Sequence, residues 1–192
     1  YVYTYPLVLS IILLAVAHCA LTMAFEVLFP LFSREELGMS HGASLLAGSS
    51  YLMIGMGAGS VLALLGLAKI NSQRNKGALL FYLGLFSGLT PLGLAFAPNL
   101  PLAVLATAGI GASTSAFMAI VNTIVQSVVP DSVRGRVLSV NIWHTLTMMA
   151  AFNLFNGFVA DVSWITAPLI LTTGGILFVA IMLEDMIMEP AT

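Results

Sequence analysis

Residues 122–140, NTIVQSVVPDSVRGRVLSV, form a polar interruption carrying two arginines between two apolar runs. The run before it is rich in small residues. Pro130 cannot lie inside a helix without removing a hydrogen bond, so one helix ends there. Asp131 or Ser132 can cap the start of the next. Arg134, Gly135 and Arg136 follow, where a chain would leave a membrane and re-enter it. The stretch predicts a short, basic, cytoplasmic hairpin between two transmembrane helices. Asn122 and Gln126, one turn apart at the end of the first of these, are placed to satisfy backbone groups of the hairpin or of the next helix.

Composition points to the same class. The 192 residues are 59% hydrophobic and 7% charged, with a mean hydropathy of +1.04. Soluble domains carry about 25% charged residues, and 7% could not solvate a surface of this size. Long apolar runs are spanning candidates. Their continuity argues against a β-barrel, whose strands alternate. The expected fold is therefore all-α, a polytopic membrane protein with the bilayer as its first partner. A net charge of −2 gives nucleic acid no electrostatic footing. Cys19 is the single cysteine, which excludes an intrachain disulfide and a multi-cysteine metal site. It reads as a small buried apolar residue. No basic segment of a signal peptide precedes the first run. The start at Tyr1 leads to the expectation of a fragment lacking an N-terminal part.

Six spans are predicted: helix A over 5–32, B over 43–68, C over 77–97, D over 102–129, E over 137–160 and F over 167–183. A tail, 185–192, closes the chain. Pro30 is expected to bend or end helix A, and Pro98, Asn99 and Pro101 to make a tight turn before helix D. Six spans put both termini on one side, shared with loops B–C and D–E. That side holds Lys69, Arg74, Lys76, Arg134 and Arg136, whereas the other holds only Arg34. The positive-inside rule places both termini in the cytoplasm. Trp143 and Trp164 are expected as interfacial anchors near opposite ends of helix E.

Helices B and D are dense in small residues. Gly55 and Gly59 are four apart, as are Gly111 and Ser115. Lipid supplies no hydrophobic force between helices, so such faces allow close backbone packing. They serve packing alone, or also let helices slide during transport. Among polar positions inside the spans, Ser10, His18, Thr22 and Glu26 mark one side of helix A. His18, Thr22 and Glu26, spaced i, i+4, i+8, fall within about 80° of one another on a regular helix. A histidine and a carboxylate on one face suit proton transfer. Glu26 also fits an interfacial acid close to Arg34. In helix E, Asn141, Thr145 and Asn156 share one side, while His144 and Asn153 are about 180° apart. These amides either line a cavity or hydrogen-bond to neighbouring helices. Tyr82 and Thr90 are isolated and carry no assignment.

No phosphate loop, zinc-protease motif or nucleophile elbow is present, so neither an ATP motor nor a membrane enzyme is indicated. The order of features resembles the C-terminal half, helices seven to twelve, of a major facilitator superfamily transporter. The similarity is greatest to the bacterial branch of enterobactin exporters and macrolide-efflux proteins. PLFSREELGMS at 30–40, GLAKINSQRNKG at 66–77, APNLPLAVL at 97–105 and FNGFVADVSWITAPLILTTGG at 155–175 carry the resemblance. QSVVPDSVRGRVLSV at 126–140 is the most specific piece. Asn71 departs from the loop motif, standing where an acid often stands. The resemblance implies two inverted three-helix repeats, 5–97 and 102–184. It also implies a midplane site shared with an N-terminal six-helix half. Efflux of a drug or siderophore-like molecule across the bacterial inner membrane would follow, driven by a proton gradient with no other cofactor. Lys69, Arg74, Lys76, Arg134 and Arg136 would then belong to orientation and a cytoplasmic gate. The alternative is a self-contained six-helix protein that dimerises as a channel or small transporter.

Overall fold

The computed structural model describes Val2 and residues 5–39, 42–69, 76–162 and 165–188. In a bilayer each backbone N–H and C=O must find its partner within the protein, which favours helices. Every regular element among the described residues is helical. The first span is a composite: α1 (Pro6–His18), a π-helical stretch (Cys19–Met23), a 3-10 turn (Glu26–Leu28) and α2 (Phe29–Glu35). Then follow α3 (Gly42–Lys69), α4 (Lys76–Ala95), α5 (Leu100–Val128), α6 (Asp131–Ala160) and α7 (Ala167–Met188). Among the described residues, 6–35, α3, α4, α5 and 167–184 are long and apolar enough to cross a membrane. The 30 residues of α6 give ample length, but its asparagines and His144 keep it out of that set.

The chain departs from the predicted spans in three places. Helix A is not regular, and the bend lies upstream of Pro30. The backbone leaves the helix at Ala24 and Phe25 (Ala24 φ −75°, ψ 38°). Pro30 sits in the first turn of α2, where its missing N–H costs nothing. The Phe29 N–H bonds to the Glu26 carbonyl, which proline could not reach. Helix E begins six residues early. Pro130 is the N-cap of α6 and Asp131 its first residue, so neither Asp131 nor Ser132 is the cap. The hairpin shrinks to Val129 and Pro130. Helix F runs past residue 184 to Met188, so the tail begins in helix. The turn before α5 follows expectation: Asn99 Oδ1 accepts the Leu102 N–H at 3.1 Å, capping the helix. Asn71, Arg74, Trp164 and 189–192 lie outside the described residues.

At the hairpin, Asp131 pairs with Arg134 one turn on. Arg134 Nη2 also donates to the Val129 carbonyl at the α5 C-cap, at 3.3 Å, where a cation complements the helix dipole. Gly135, Arg136, Gln126 and Lys69 are exposed, and Lys76 is half-buried at the start of α4. Among the described residues Gln126 makes no hydrogen bond to a backbone group. Trp143 is exposed.

α5 is central, packing against α3 on one side and α4 on the other, and α4 packs on α7. The first span lies against α5, α6 and α7. At the α3–α5 crossing, a Cβ on Gly59 would collide with the Ala108 backbone, and one on Gly111 with the Met56 carbonyl. A Cβ on Gly55 would stand 2.6 Å from the Val104 carbonyl. Ser60 Oγ donates across the same crossing to the Gly111 carbonyl at 3.0 Å. The small positions that meet are therefore Gly55, Gly59, Ala108 and Gly111. Ser115 is half-buried and contributes no side-chain hydrogen bond among the described residues.

A second close crossing joins α4 and α7, where Gly88 faces the Gly175 carbonyl and Val179, and Gly175 faces the Gly88 carbonyl. The sequence carries its signature too, in Gly84 and Gly88 four apart, but helices B and D are denser in small residues.

Overpacking a tight contact costs about 1–3 kcal/mol. Gly59→Leu should therefore lower the thermal unfolding midpoint clearly in detergent. Gly66→Leu, on the same helix and facing open space, should leave it nearly unchanged; equal effects would refute a tight α3–α5 seam.

Candidate functional site

The buried apolar side chains fall into two clusters. One joins α1, the starts of α4 and α6, and the second halves of α5 and α7, around Phe117, Val121, Val125 and Phe178. The other joins α2 to Leu52, Leu94, Ile110 and the start of α7, around Phe29 and Phe32. Between them lies a layer of buried polar side chains: His18, Thr22, Ser87, Ser113 and Thr114. These residues come from near the middle of the first span (6–35), of α4 and of α5, so the layer sits near mid-depth. A polar layer there is costly unless each group is satisfied or used.

His18 is fully buried. Its Nε2 lies 2.8 Å from Ser87 Oγ on α4. Its ring stacks on Phe117 at 4.3 Å and meets the Phe178 ring edge-on at 5.1 Å. Nδ1 is buried and has no hydrogen-bond partner among the described residues. Thr22 Oγ1 donates to the His18 carbonyl at 2.8 Å. Thr90, unassigned from sequence, exchanges a hydrogen bond with Ser113 at 3.1 Å, tying α4 to α5.

Glu26 does not extend this arrangement. The π-helical turn and the break rotate it away from the regular-helix position. It is half-exposed beyond the break, with no hydrogen bond or ion pair among the described residues. Arg34, its expected neighbour in charge, meets Glu35 instead at 3.5 Å. Ser10 is exposed, away from the buried His18 and Thr22.

On α6 the buried polar side chains are Asn141, Thr145 and Asn156, the three predicted to share a side. Each hydrogen-bonds to protein. Asn141 Nδ2 donates to Asn122 Oδ1 on α5 at 3.2 Å. Thr145 Oγ1 donates to the Asn141 carbonyl at 2.9 Å. Asn156 Nδ2 donates to the Ala24 carbonyl at 2.6 Å. Ala24 sits where the first span leaves the helix, so its carbonyl has no helical partner and Asn156 supplies one. His144 Nδ1 donates to the Val140 carbonyl of its own helix at 2.8 Å. Asn153 is half-buried with Oδ1 unpartnered. Behind the break, a Cβ on Gly174 of α7 would stand 2.5 Å from the Leu21 carbonyl and 2.8 Å from the Phe25 ring. The site is thus a broken span, held by an amide near the end of α6 and the bare backbone of α7.

Removing one partner of a buried hydrogen bond costs about 1–3 kcal/mol. Asn156→Ala should lower the thermal unfolding midpoint measurably, and Asn156→Asp, which removes the donor, should do the same. Asn153→Ala on the same helix should cost less. A stable Asn156→Ala protein would show that the Ala24 carbonyl needs no such partner.

The family model described as "Transmembrane secretion effector" matches residues 1–191. No curated protein and no solved structure gives a significant match. The match spans almost the whole chain, in keeping with its long apolar helices. The chain belongs to the transmembrane secretion effector family of the major facilitator superfamily, and is a multi-pass membrane transporter.

Proposed function

We propose that these residues form helices seven to twelve of a proton-coupled exporter in the enterobactin-exporter and macrolide-efflux branch. It resides in the bacterial inner membrane, with both ends of this segment cytoplasmic. The cargo is a small drug or siderophore-like molecule, carried by alternating access against an N-terminal six-helix half. No catalytic role is proposed.

The observation that carries the reading is the broken first span. Irregular backbone at membrane depth belongs where it is buried in protein or lines a cavity, and transporters use such segments at their sites. His18 lies just before this break, buried, with one ring nitrogen free of hydrogen bonds among the described residues. Glu26 lies just after it, half-exposed. We assign proton handling to these two, on opposite sides of the break.

Two further features support the reading. Under inverted repeats, the first span corresponds to α5, α3 to α6, and α4 to α7. The α3–α5 contact then matches the contact of α6 with the first span. The α4–α5 contact matches that of α7 with the first span, and all four contacts occur. Large apolar side chains also stand exposed on α3 (Leu46, Ile54, Leu62) and on α6 (Leu146, Leu154, Phe158), available to another six-helix half or to lipid. The basic residues at the α5–α6 hairpin and at the ends of α3 and α4 support a cytoplasmic placement of that side.

Cells making the full-length protein should extrude a macrolide or a fluorescent dye, and collapse of the proton gradient should abolish extrusion. Glu26→Gln should insert normally yet lose the pH dependence of transport. Extrusion that survives complete uncoupling would sink proton coupling, and unchanged pH dependence in Glu26→Gln would reduce that residue to an interfacial acid. Residues 1–192 expressed alone should not transport; if they do, the self-contained six-helix reading replaces the half-transporter.

A further inference from the structure

We infer that the recess between the broken span, α6 and α7 is a binding site for a hydrocarbon chain, the acyl tail of a membrane phospholipid. The recess measures about 320 Å³, at the lower end of the range for small-ligand sites. Its floor includes the buried Ala20, Phe25 and Gly174, and the half-buried Phe152 stands in its wall. Among the described residues no charged side chain lines it. Of its two polar residues, Asn156 donates through Nδ2 to the Ala24 carbonyl at 2.6 Å and Thr173 through its hydroxyl to the Leu169 carbonyl at 2.6 Å, which leaves no side-chain donor for a ligand. A ligand that depended on charge or on several hydrogen bonds would lose more hydration there than these groups return. A saturated chain carries no such penalty.

The rim identifies the source. Phe155, Leu169 and Leu177 line the recess and are 58%, 43% and 54% exposed. We take this rim, two of whose three side chains come from α7, as the lipid-facing one, so a lipid tail enters sideways without crossing water. The recess ends at the break itself, against Phe25 and beside the bond from Asn156 to Ala24. A bound tail fills the space next to the non-helical backbone and keeps water from that bond, so occupancy favours the broken conformation.

The test uses the full-length protein in phosphatidylcholine vesicles containing a phospholipid with a photoactivatable group near the end of one acyl chain. Adducts are mapped by peptide mass spectrometry. Labelling at the floor, on Ala20 and Phe25, is expected in addition to the rim. Leu177→Trp narrows the mouth and should reduce floor labelling several-fold. Ile176→Trp, at an equally exposed neighbour outside the recess, should leave it unchanged. If Leu177→Trp does not fold, Leu169→Trp closes the same mouth. Labelling confined to the rim, or floor labelling indifferent to both mouth variants, overturns the proposal. Loss of floor labelling on adding an exported dye would make the recess a cargo site and overturn it as well.

Discussion

One hydrogen bond, from Asn156 of α6 to the carbonyl of Ala24, allows the first span to leave the helix within its length. A carbonyl without a partner in hydrocarbon costs several kcal/mol, so the break cannot stand on local sequence alone. Its supports are distributed. Pro30 seeds α2, Phe29 closes the 3-10 turn, and Gly174 lets the backbone of α7 come close. The result divides the interior into two apolar cores with a polar layer between, where His18 is held by Ser87 and two phenyl rings.

The two repeats solve the same packing problem by different chemistry. Where α3 crosses α5, glycines bring backbone against backbone and no space remains. At the corresponding crossing of α6 and the first span, contact runs through an asparagine amide, and a recess opens alongside. Backbone contact is difficult to deform, because any shift meets hard atoms on both sides. A single amide bridge beside a recess yields more readily. The bundle therefore joins a stiff flank to a compliant one, with the polar layer between them.

The sequence was legible where one rule dominates. Apolar run length located the spans, proline and charge located the hairpin, and glycine spacing located the α3–α5 seam. It failed where a distant residue decides the outcome. The 100° wheel that aligned His18, Thr22 and Glu26 assumes a regular helix, yet the π-helical turn and the break depend on a partner 132 positions away. The charges of DSVRGR suggested a loop, but water solvates them as well on a helix that projects beyond the membrane, so α6 starts at Asp131. Thr90 was isolated in sequence and becomes a partner of Ser113 only when α4 meets α5. Asn141, Thr145 and Asn156 were placed on the right side of their helix, but sequence could not say that each would find a partner within the protein.

The hairpin has a mechanical consequence. Only Val129 and Pro130 separate α5 from α6, Arg134 fastens the two ends together, and Asn122 and Asn141 brace them nearby. Joined so closely at one end and touching little elsewhere, the two helices resemble a pair of tongs. A few degrees of opening at the pivot leave the hairpin end almost still and sweep the far end of α6, which carries Asn156, through the largest arc. Leverage is therefore greatest where the broken span is held.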